Sequence, residues 1–211
     1  MKPPNTSTHS RSALRIVVGS AALVAPALHS VTAAMEWYQH GFSMLQLWLN
    51  YFAFLPMAWL LLGIYTLHEP KSNSLGLIGA LLYGAAFTYF AHTTLFAISE
   101  RIATYDLLWS RLGFIYTVHG LLMVVGGLLF ARSAWRAAWL PRMPIACFSA
   151  GLVVNFLLAL VPAPDIFQTL GSGLRNIGLI LIGYSLIFGG VGQRLTSHGR
   201  RTRETRRFVQ R

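Results

Sequence analysis

The sequence predicts an all-α polytopic membrane protein, a bundle of six transmembrane helices with both termini in the cytoplasm. Three observations predict it. Hydrophobic types make up 55% of the 211 residues and charged types 11%, and the mean hydropathy is +0.53, a composition suited to lipid solvation. Six apolar stretches are each long enough to cross a hydrocarbon layer of about 30 Å as a helix. Basic residues alternate between dense and sparse from one connection to the next, as the positive-inside rule requires.

The stretches lie near Leu14–Ala34, Tyr38–Leu67, Leu75–Ile98, Leu112–Arg132, Pro144–Val161 and Leu174–Gln193. None shows the dyad alternation of barrel strands, and backbone groups in lipid must be satisfied internally, so each is read as a helix. The first has features of a cleaved signal peptide: a basic start, an apolar run from Ile16 to Leu28, and small residues at Thr32-Ala33-Ala34. Pro26, His29 and Ser30 fit poorly late in a signal core, so the segment is read as a helix that stays; five would remain if it were removed. A tight turn is expected near Ala34–Met35. Pro56 is expected to bend the second helix and free a carbonyl. His68-Glu69-Pro70-Lys71-Ser72-Asn73-Ser74 and Pro162-Ala163-Pro164-Asp165 carry turn chemistry and read as loops. Residues 1–193 form one domain, followed by a basic tail over 194–211.

With the N-terminus inside, Lys2, Arg11, Arg15, Lys71, Arg132, Arg136, Arg142 and the tail arginines fall on the cytoplasmic side. Of the 17 lysines and arginines, only Arg101, Arg111 and Arg175 then lie outside. That asymmetry in a short chain suits a bacterial inner membrane. Topology thereby accounts for the net charge of +11. The tail, whose one aromatic is Phe208, reads as an anchor at anionic headgroups rather than a nucleic-acid surface. Cys147 is the single cysteine, which excludes a disulfide framework and a cysteine metal box. A Gly-rich phosphate loop, a serine nucleophile elbow and His-Glu-x-x-His are all absent from the sequence.

Two outward-to-inward helices begin alike, at Tyr38-Gln39-His40-Gly41-Phe42-Ser43-Met44 and Tyr116-Thr117-Val118-His119-Gly120-Leu121-Leu122-Met123. The sixth, Gly178-Leu179-Ile180-Leu181-Ile182-Gly183, keeps the glycine pattern with Ile177 in the histidine position, so three repeated helical hairpins are expected. At about 1.5 Å per residue, His29, His40, His92 and His119 all fall roughly 8–12 Å below the outer surface. Glu36, Glu100, Asp106 and Arg111 lie above them, and Gln46 and Asn50 follow His40 down its helix. Ionisable groups within a span are costly and usually face a cavity, partner or ligand, which makes this histidine layer the candidate site. The plain alternative is interfacial histidines bonded to a carbonyl or Thr within the aromatic belt.

The His-Gly-x-x-Met helix starts at His119 and His40 resemble the low-spin haem ligand helix of haem–copper oxidase subunit I. The resemblance implies an axial ligand role for His119 and for His40, hence a small b-type haem protein passing electrons between quinol and a redox partner protein. The chain has half that family's helices and no paired histidines for a copper centre, so oxygen reduction is not implied. A zinc or copper site on His29, His92 and His119, with Glu36 or Glu100 nearby, is a second chemical reading. The third has no cofactor: a small-molecule or lipid transporter or binding protein, or a membrane-complex assembly factor, open to homo-oligomerisation through glycine faces at Gly120, Gly126, Gly127, Gly178, Gly183, Gly189, Gly190 and Gly192. In that case Asn155, expected mid-membrane, and Arg175-Asn176, expected at the mouth of the sixth helix, are the ligand contacts.

Overall fold

The computed structural model describes residues 6–68, 73–161 and 165–209, with side chains over 11–68, 73–161 and 166–188. Lys2, the loop residues Glu69 to Ser72 and Pro162 to Pro164, and the side chains of the basic tail, on which several expectations fall, lie outside the described residues. So do the surroundings of Gly189, Gly190 and Gly192.

The described residues form seven helices: α1 (Thr6–Gln39), α2 (Met44–Leu67), α3 (Ser74–Ser99), α4 (Tyr105–Leu112), α5 (Phe114–Ala137), α6 (Arg142–Leu158) and α7 (Asp165–Val209). Five segments are long and apolar enough to cross a membrane: Arg11–Gln39, Met44–Leu67, Ser74–Ser99, Phe114–Ala137 and Ile166–Phe188. α6, with 17 residues, is a shorter apolar helix that reaches about 26 Å. Of the six expected spans, five are long apolar helices and the sixth falls on the shorter apolar helix α6.

Local chemistry explains the boundaries. Ser43, Asn73 and Thr104 cap α2, α3 and α4, accepting from Gln46 N (3.3 Å), Gly76 N (3.0 Å) and Leu107 N (3.3 Å). α1 continues five residues past the turn expected at Ala34–Met35, because no breaker occurs before Gly41. The chain turns instead at His40, in the left-handed region at φ 53°, and Phe42 N donates to Ala103 O at 2.7 Å. A Cβ at Gly41 would overlap that same carbonyl oxygen. Gly113, at φ 56° and ψ −136°, holds a conformation that glycine adopts readily. It separates α4 from α5, which the sequence reads as beginning at Leu112.

Each of the six long or intermediate helices packs against two others, in the order α1, α2, α3, α5, α6, α7 and back to α1, so the helices close into a ring. α4 sits between α3 and α5 at one end. Glycines let the backbones meet: a Cβ on Gly126 would overlap Tyr83 N and Gly79 O, locking α3 against α5. Gly151 and Gly178 do the same for α6 and α7, and Gly19 and Gly183 for α1 and α7. Met57, Tyr83, Phe87, Phe130, Phe148, Leu152 and Leu179 fill the interior, each at most 1% exposed. Ile16, Val24, Phe52, Leu81, Val125 and Ile177 face outward. An apolar exterior around an apolar interior is the pattern of helices solvated by a bilayer.

Candidate functional site

The cost of a polar group in lipid directs attention to the buried polar residues of the ring. Foremost is Arg175, 2% exposed and ten residues into α7. The sequence places it at a helix mouth; the structure corrects this. The segment from Asp165 to Gly173, polar enough to read as a connection, is helical because its backbone is satisfied internally. Ser172 turns toward α6. Asn155 Nδ2 donates to Ser172 Oγ at 2.9 Å, and Gly171 leaves room for the Asn155 amide. Asn155 thus lies three residues before the end of α6.

Met123, nine residues into α5, and Ser30, nine residues before the end of α1, lie with Arg175 at roughly 14–15 Å from the same end of the ring. Arg175 Nη1 donates to Met123 Sδ at 2.9 Å, and Nε and Nη2 donate to Asn176 Oδ1 at 3.3 and 3.2 Å. Asn176 Nδ2 donates to Ser30 Oγ at 2.9 Å, whose hydroxyl donates to Pro26 O, also at 2.9 Å. The guanidinium carbon sits 5.7 Å from the Phe87 ring centroid, in cation–π range. Every hydrogen bond of this cation among the described residues goes to a neutral group.

A second polar group adjoins the first through α1. His29 Nδ1 donates to Asn50 Oδ1 at 2.9 Å, and Thr32 Oγ1 donates to the same oxygen at 2.9 Å. His29 also packs on Phe54, with ring centroids 5.0 Å apart, and Phe54 continues into Phe87 and Phe90. Asn50→Ala is expected to strip His29 of its acceptor, while Thr32 keeps His29 O at 2.9 Å, and cost roughly 1–2 kcal/mol. Unfolding in mixed micelles checks this, and a change no larger than that of Thr66→Ala on the exterior would contradict it.

One turn nearer the end, Gln46 lies on the Asn50 face of α2 and His119 on the Met123 face of α5. Each is 1% exposed, and none of their side-chain nitrogens or oxygens has a partner among the described residues. His119 stacks on Tyr89, 4.6 Å between centroids and 14° between planes.

The four histidines do not assemble as one layer. His92 is exposed on α3. His40 is exposed in the α1–α2 turn, whereas its counterpart His119 is buried within a helix, so the repeated motif does not mark equivalent places. Among the described residues no group of three His, Cys, Asp or Glu side chains is placed to hold a metal ion. Glu36 is half-buried near the end of α1; Glu100 is exposed at the end of α3, and Asp106 and Arg111 are exposed on α4. Met123, Ser30, Thr32 and Phe87 are the contacts that sequence reasoning missed. The signal that points to them is the lone charge of Arg175 within an otherwise apolar run.

Compared with known proteins, the chain matches no family model, no curated protein and no solved structure.

Proposed function

We propose that this chain is a binding or carrier protein of the bilayer, holding the anionic group of a small amphipathic molecule against Arg175. The observation that carries the reading is a guanidinium 2% exposed whose described partners are all neutral. A cation enclosed at mid-membrane depth is costly, and its usual compensation is an anion or a ligand. A carboxylate suits the planar fork of Arg. Phe54, Phe87 and Phe90 provide the apolar surroundings an acyl or aromatic tail requires, and the unpartnered Gln46 and His119 support a polar approach from the nearer end. In this reading α6 is a sixth, short crossing. The basic residues Arg11, Arg15, Arg132, Arg136 and Arg142 support placing the end that holds both termini in the cytoplasm of a plasma or inner membrane.

Dodecanoate and dodecanol, titrated into protein purified in a glycoside detergent, test the proposal. Dodecanoate is expected to bind about tenfold more tightly, and Arg175→Gln to level the two. Equal binding by the native protein, or a preference that survives Arg175→Gln, would overturn it. A second reading keeps His119 as an axial haem ligand, favoured by its two unpartnered ring nitrogens; in the same sample it requires a Soret band that His119→Ala removes.

A further inference from the structure

We infer that a groove between α5 and α6, none of whose lining residues belongs to Arg175's polar network, is a binding site for the headgroup of one anionic phospholipid. The groove has a volume of about 360 Å³, within the roughly 300–1,000 Å³ of small-molecule sites. Leu128 and Ile145 form its apolar wall, and Arg132, Trp135, Arg136 and Ser149 its polar one. Arg132 and Arg136 are one helical turn apart on α5 and share a face; both are exposed. From the start of α6, Arg142 brings a third guanidinium to the same place, its carbon 5.8 Å from the Trp135 ring centroid.

The charge here has no counterpart in the described chain. Arg11, Arg15, Arg132, Arg136 and Arg142 gather at this end of the ring, whereas the acids with described side chains, Glu36, Glu100 and Asp106, all lie at the other. Arg132 stands five residues before the end of α5, roughly 8 Å along the helix, and Trp135 is a residue that favours the headgroup level. Basic pockets between helices at this depth recognise anionic headgroups. The phosphodiester is expected to lie between Arg132 and Arg136, with Ser149 donating to an oxygen and the first acyl carbons passing along Leu128 and Ile145. That apolar wall is why the occupant is a lipid rather than a free anion.

Native mass spectrometry of the full chain with dioleoylphosphatidylglycerol and dioleoylphosphatidylcholine provides the test. The native protein is expected to retain one phosphatidylglycerol molecule more firmly than any phosphatidylcholine. Arg132→Gln with Arg136→Gln should lose that molecule, whereas the charge-matched Arg101→Gln with Arg111→Gln should keep it. Ser149→Phe retains every arginine but fills the groove, and should also lose it, which decides the matter if the double arginine variant fails to fold. Retention in both groove variants, equal loss in the charge-matched control, or displacement of the lipid by equimolar inorganic phosphate would overturn the inference.

Discussion

Arg175→Met should raise the melting temperature of the detergent-solubilised protein while abolishing its preference for dodecanoate over dodecanol. Arg175 is fully enclosed, and its partners are a thioether, a neighbouring amide and an aromatic face. None of these is an anion, so burial of the charge is only partly offset. A methionine of similar length fills the space, meets Met123 and Phe87 without a charge, and is expected to stabilise the ring by roughly 1–3 kcal/mol. Asn176 would lose two donors but keep its own bond to Ser30, which limits the gain. Opposite movements of stability and binding would mark a group retained for its ligand. If Arg175→Met instead unfolds the protein, Arg175 is a structural member of the network and the binding proposal fails.

Gly126→Val should be among the most damaging single changes in the chain. Its Cβ would run into Tyr83 N and Gly79 O, and backbone atoms of two packed helices cannot move aside as a flexible side chain can. The α3–α5 seam would have to open along its length, at a cost of about 3 kcal/mol or more. Gly120, two turns away on α5, has nothing within 4 Å of its Cβ position, and Gly120→Ala should be neutral or mildly stabilising. Size-exclusion profiles and melting curves of the two variants check the contrast; equal behaviour would show that α3 and α5 do not make this backbone contact.

The contrast also shows which features the sequence makes legible. Apolar length and basic asymmetry reveal a multi-pass helical chain, because lipid imposes those properties on any crossing segment. They do not reveal rotation. α3 is apolar almost all round, so nothing in its pattern says that His92 faces out while Thr93 and Thr94 face in. Nor do they locate a helix start hidden by polar residues: Gln168, Thr169, Ser172 and Gly173 resemble a connection, although they are helical and Ser172 is partnered by Asn155 of α6. Arg175 was therefore legible as an unusual charge but not as a buried one. His40 and His119 share five-residue surroundings, yet a motif that short does not encode whether the helix begins before or after its histidine.

Closure of the ring has a consequence for biogenesis. α7, which leaves the ribosome well after α1, must find it before the circle exists. Until then Arg175 has neither Ser30 behind Asn176 nor the enclosing aromatic wall, and a lone cation makes α7 a poor candidate for independent partitioning from the translocon. Insertion of α7 and its docking onto α1 are thus expected to be a single coupled event. A nascent chain halted before Leu186, whose carbonyl accepts from Arg15, would remain an open and degradable intermediate.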